Sequence, residues 1–149
     1  MPQVYPRAME RLTTGQLLKQ INDALEKRVN NHLRVSGLTM SQSWALMCLS
    51  AADRGILPLK ALEKALGVAQ PTCQGIVRRM EMKGLVTSFQ SDEDRRIKLV
   101  SITEEGLEAA RKAEEDVEEL QASILSGLTE DEKAMFHSLL SKIFVNVKK

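Results

Sequence analysis

Three polar side chains, Gln70, Gln74 and Arg78, recur at every fourth residue. On a helix that spacing aligns them in one stripe. A glutamine amide can pair with adenine and an arginine guanidinium with guanine, each through two hydrogen bonds. Pro71 and Thr72 open the same stretch, and Arg79 and Lys83 follow it with charges suited to phosphates. Further on stands the cluster Asp92-Glu93-Asp94-Arg95-Arg96, in which acid and base alternate closely enough to pair. Taken alone, the stripe is also what a solvated helix face looks like, and the cluster what a surface ion pair looks like. The elements that carry them separate these readings.

Leu59–Leu66 reads as a helix closed by Gly67, and Pro71–Lys83 as a second helix closed by Gly84. Leu85–Phe89 and Ile97–Ile102 read as two strands joined by a charged tip, Gln90–Arg96. Helix, tight turn, basic helix and hairpin is the order of a winged helix-turn-helix, which places one helix in the DNA major groove. In that setting Gln70, Pro71, Thr72, Gln74 and Arg78 become a base-reading face, while Arg79 and Lys83 touch phosphate or nothing.

Longer helices flank this unit. Residues 10–36 present Leu17, Leu18, Ile21, Ala24, Leu25, Val29 and Leu33 on one side, ending at Gly37. Thr39-Met40-Ser41-Gln42 has capping-box form and opens a helix running to about Ala52. Thr103 before Glu104 and Glu105 caps another, through Leu107, Ala110, Ala113, Val117, Leu120 and Ile124 to Leu128, interrupted by Gly127. A final capping box, Thr129-Glu130-Asp131-Glu132, starts a helix with Phe136, Leu139, Leu140, Ile143, Phe144 and Val147 in register. The fold class is therefore mainly α with a small β-hairpin wing. Residues 38–103 form the DNA-binding unit, and residues 10–36 and 104–147 form helices too apolar for so small a core. A second copy of the chain is their simplest partner, and a twofold dimer sets two reading helices about 34 Å apart.

Composition agrees. The 149 residues are 43% hydrophobic but 3% aromatic, so aliphatic side chains fill the core. A cytoplasmic protein is expected, because no apolar run approaches a membrane span and no signal-peptide pattern begins the chain. The net charge of +1 is unevenly spread: residues 99–132 carry eleven acidic and two basic side chains, while residues 70–98 carry four and six. Acid is concentrated where DNA is not expected. No nucleophile–base set, phosphate loop or metal-ligand spacing is evident, so neither an enzyme nor a cofactor is expected, and His32 and His137 stand alone.

At this point the chain resembles the MarR family of bacterial winged-helix regulators. The resemblance lies in Leu38-Thr39-Met40-Ser41-Gln42-Ser43-Trp44-Ala45-Leu46-Met47, in Gln70-Pro71-Thr72 leading to Glu81-Met82-Lys83-Gly84-Leu85-Val86, and in Asp92-Glu93-Asp94-Arg95-Arg96 followed by Val100-Ser101-Ile102-Thr103-Glu104-Glu105-Gly106. Over nearly all of residues 1–149 it implies an obligate homodimer with intertwined end helices on a near-palindromic double-stranded operator, released by small phenolic or lipophilic anions or by thiol oxidation. It implies that Arg96 reaches the minor groove with its guanidinium held by Asp94, and that Arg95 contacts phosphate. It also implies an effector pocket lined by His32, Met40, Trp44 and Met47, with Arg28 or Arg34 holding a carboxylate; packing in the core is the other reading of Trp44 and the methionines. The sequence departs from the family in Ala69, where a capping Ser or Thr is usual, and in Gly75, where a larger polar residue is common.

Cys73 lies near a helix N-terminus, where the dipole lowers a thiol pKa, so a redox switch is one reading and a buried packing residue the other. Cys48 reads as core. Two functions remain: a homodimeric transcriptional regulator, a repressor released by a small molecule, and a winged-helix protein-interaction module that no longer binds DNA.

Overall fold

The computed structural model describes residues 9–149. The chain divides into two units, one ending at Glu114 and one of Glu115–Lys149, each described by itself. Among the described residues no helix is long and apolar enough to cross a membrane.

The first unit opens with a 3-10 turn, Met9–Arg11, before helix α1, Thr14–Leu33. This helix starts later than the expected residue 10 because Thr13 and Gln16 form a reciprocal capping box. It tightens into a second 3-10 turn, Arg34–Ser36, and stops at Gly37, whose φ of 71° is open to glycine at little cost. Helix α2 spans Met40–Ala51 behind the expected Thr39–Gln42 capping box.

The segment Ile56–Pro58, to which the sequence reading assigns no element, is a strand, β1. Helices α3, Leu59–Leu66, and α4, Gln70–Met82, follow, separated by a left-handed Gly67. The hairpin strands are β2, Val86–Gln90, and β3, Lys98–Ile102. All pairing is antiparallel in the order β1-β3-β2, with Leu57 opposite Val100 and Ser88 opposite Val100 on the other side. Pro58 lacks an N–H for the ladder, which an edge strand tolerates.

The core lies where α2, α3, α4 and the sheet meet. Leu46, Leu49, Leu62, Val77, Met80, Val86 and Val100 are almost fully buried there, with Leu33 from α1. Helix α5, Glu104–Ile124, adds Gly106, Ala110 and Ala113. Gly106 lets the start of α5 come close to the Leu85 carbonyl.

The unit boundary falls within α5. The second unit continues to helix α6, Glu130–Val147, begun by the expected Thr129–Glu132 capping box. Helix α6 buries no residue, and Phe136, Leu139, Phe144 and Val147 of its apolar series are exposed.

Candidate nucleic-acid interface

Helix α4 has two unlike faces. Cys73, Ile76, Val77 and Met80 are buried, which fixes the rotation of the helix. Gln70, Pro71, Thr72, Gln74, Arg78 and Arg79 are thereby left exposed. Ala69 at the N-cap provides no side-chain hydrogen bond, so the opening N–H groups keep their positive end unscreened by a cap. Gly75 sits within this face. A β-carbon there would meet only the Arg79 guanidinium, at 3.5 Å, so the arginine lies back over the glycine.

Lys83 differs from expectation. Its ammonium donates to the Gly37 carbonyl and, at 2.9 Å, to Gln42 Oε1. Although the residue is exposed, its ammonium is engaged by groups 46 and 41 residues away along the chain. The sequence marks Gln42 as half of a capping box, and nothing local marks it as the buried partner of a distant lysine.

At the wing tip, Arg96 Nε donates to Asp94 Oδ1 and Nη2 to Asp94 Oδ2, both at 3.1 Å. The Arg96 backbone N–H also donates to Asp94 Oδ1, at 3.0 Å. These bonds hold the Asp94 carboxyl below the usual carboxylate range. The Arg96 side chain nevertheless remains 90% exposed, a charge with its direction set and its surface free. Arg95 and Lys98 are also exposed.

The base of the wing is fixed by Thr103. Its hydroxyl donates to the Gly84 carbonyl at 2.7 Å and accepts the Gly106 N–H at 3.0 Å, while its own N–H donates to the Leu85 carbonyl at 3.0 Å. The Thr-x-x-Gly pattern thus caps α5 and ties it to the chain leaving α4. The Ser88 hydroxyl donates to Glu81, joining β2 to α4.

The remaining candidates separate. Cys73 is fully buried, and burial, followed by the charge of Glu63, pushes its thiol up. That corrects the expectation of a lowered thiol pKa: desolvation outweighs the helix dipole. Cys48 is partly buried against the core, its thiol raised by burial against an opposing hydrogen bond from Trp44. Trp44 itself is half exposed, so it is not a core residue in the single chain. A groove of about 360 Å³ runs between α1 and the start of α2, lined by Glu26, Asn30, Arg34, Gly37, Leu38, Thr39, Met40 and Ser41. Of the expected effector residues it contains Met40 and the alternative cation Arg34; Arg28, His32, Trp44 and Met47 do not line it.

Residues 38–98 match the MarR family. Among solved structures, the fold is similar to that of Staphylococcus aureus MepR in a complex with DNA, with a TM-score of 0.85 at 23% identity over 91% of this chain and 99% of that one. It is similar also to AbsC, a MarR family transcriptional regulator from Streptomyces coelicolor, at TM-score 0.80 and 24% identity over 92% and 97% of the two chains. A mutant E. coli MarR complexed with operator DNA gives 0.80 and 24% over 93% and 99%. These likenesses establish a shared winged-helix fold.

Proposed function

We propose that this chain, whose residues 38–98 match the MarR family, is a sequence-specific, double-stranded DNA-binding transcriptional regulator. One observation carries the reading: the family segment is where an exposed Gln70–Gln74–Arg78 face and a braced, outward Arg96 occur together. Helix α4 enters the major groove with Gln70, Pro71, Thr72, Gln74 and Arg78 toward bases and Arg79 toward phosphate. The wing presents Arg96 to the minor groove, with Arg95 on the backbone. The MepR and MarR structures, both determined with DNA, support the same choice of ligand.

The working form is a cytoplasmic homodimer on a near-palindromic operator. Support comes from apolar side chains that the single chain leaves in water, among them Ile21 on α1, Ile124 on α5, and Phe136, Leu139 and Phe144 on α6. Covering the part of each that stays exposed is worth roughly 0.5–2 kcal/mol. The protein acts as a repressor. A small lipophilic or phenolic anion releases it from the groove beside Arg34 and Met40.

Selection of bound fragments from the source genome, followed by titration of the best one, tests this reading. Affinity should fall about a thousandfold or more between 50 and 200 mM salt, and sedimentation should give about twice 16.6 kDa. A flat salt response, or no selected fragment, would favour the protein-interaction module.

A further inference from the structure

Lys83 stands at the C-terminal end of the reading helix, the position of its C-cap. There it looks like one more phosphate contact, but its geometry assigns it elsewhere. The ammonium donates to the carbonyl of Gly37, the left-handed residue that ends the turn after α1. It donates also to Gln42 Oε1, which itself accepts the Thr39 N–H at 3.3 Å. Gln42 is 2% exposed, and without this cation and its own capping bond its carbonyl oxygen would be buried unpaired. One side chain therefore ties the end of α4 to the α1–α2 corner and to the first turn of α2.

We infer that Lys83 is a positioning residue that sets the angle of the reading helix, not a contact to DNA. Helix α4 has 13 residues and is about 20 Å long. Gln70, one of the side chains assigned to bases, lies at its far end, so a tilt of about 3° about Lys83 displaces it by about 1 Å. Hydrogen bonds to base edges tolerate only about 0.5 Å, whereas long, mobile cations follow phosphates through such a shift. Losing the tie therefore removes specificity while sparing non-specific attraction. The inference rests on the DNA-reading function proposed above.

The test compares Lys83→Met, which keeps the stem and removes the charge, with the unsubstituted protein. Both are assayed well below their unfolding temperatures against the selected fragment and against unrelated duplex. The ratio of specific to non-specific affinity should fall roughly tenfold or more, while the slope of log affinity against log salt stays unchanged. A slope smaller by about one per subunit would make Lys83 a phosphate contact, and an unchanged ratio would leave it a packing residue; either overturns the inference. A second measurement needs no DNA and so stands apart from the functional reading. In thermal unfolding, Lys83→Met and Gln42→Leu should together lower Tm by clearly less than the sum of the single effects. Additive shifts would show that the two side chains are not coupled.

Discussion

Replacing Gly106 by alanine should destabilise the protein even though alanine is the better helix former. An alanine β-carbon at 106 would lie 2.1 Å from the Leu85 carbonyl oxygen and 2.7 Å from Ile102 Cγ1. Carbon and oxygen in ordinary contact are about 3.3 Å apart, so the overlap is about 1.2 Å. Its first obstacle is backbone, which has no rotamer to change. That same carbonyl accepts the Thr103 N–H, and the neighbouring Gly84 carbonyl accepts the Thr103 hydroxyl. Any retreat of Leu85 or of α5 stretches both bonds. Overpacking costs about 1–3 kcal/mol, and two weakened hydrogen bonds cost about 0.5–1.5 kcal/mol each. Against this stands about 1 kcal/mol of helix propensity gained. The net loss is about 1–5 kcal/mol, centred near 3. In urea unfolding followed by circular dichroism at fixed protein concentration, this lowers the midpoint by about 1 M at an unchanged slope. Gly75→Ala is the control, because its β-carbon meets only a mobile guanidinium at 3.5 Å. It should raise stability by up to about 1 kcal/mol. If Gly106→Ala is as stable as the parent, the close approach of α5 to Leu85 is not a constraint and the reasoning fails.

Other outcomes follow from the interface and the thiols. Arg96→Ala should weaken DNA binding strongly, with base preference changing mainly at A·T-rich flanks, where the minor groove is narrow; a panel of single-base operator changes checks this, and unchanged affinity would mean that the wing stays outside the groove. Asp94→Asn keeps an acceptor for the Arg96 N–H but loses the charged clamp, so binding should weaken roughly 2–10-fold per wing through lost preorganisation with no matching change in Tm. The salt slope should reflect Arg78, Arg79, Arg95, Arg96 and Lys98 without Lys83: about six to ten neutralised phosphates per dimer give about −5 to −9. Cys73 should resist an aromatic disulfide reagent until the protein unfolds, and rapid labelling of the native protein would contradict its burial. Because burial raises its thiol pKa, the stability linked to this group is complete below the range where an unfolded thiol titrates, and it is lost as pH rises through the raised native value. Unfolding measured across mild alkali should show that decline.

What could be read from the chain alone was what neighbours within a few residues determine. The capping boxes at Thr39 and Thr129, the stop at Gly67 and the four-residue stripe on α4 all depend on local hydrogen bonds and helical periodicity, and they stand where the sequence put them. Asp94 and Arg96, two residues apart, also pair as expected. The sequence did not reveal the pairing of Ile56–Pro58 with β3, because a three-residue strand has no period to detect and its partner lies more than forty residues away. It did not show that Lys83 was already engaged, or that Cys73 was too deep to ionise easily, since exposure and desolvation belong to the packed chain. The Thr103–Gly106 motif was legible as a helix start, but the reason for its glycine was not. That reason is the Leu85 carbonyl, brought within reach of α5 only after the strands have paired and the chain has turned back on itself.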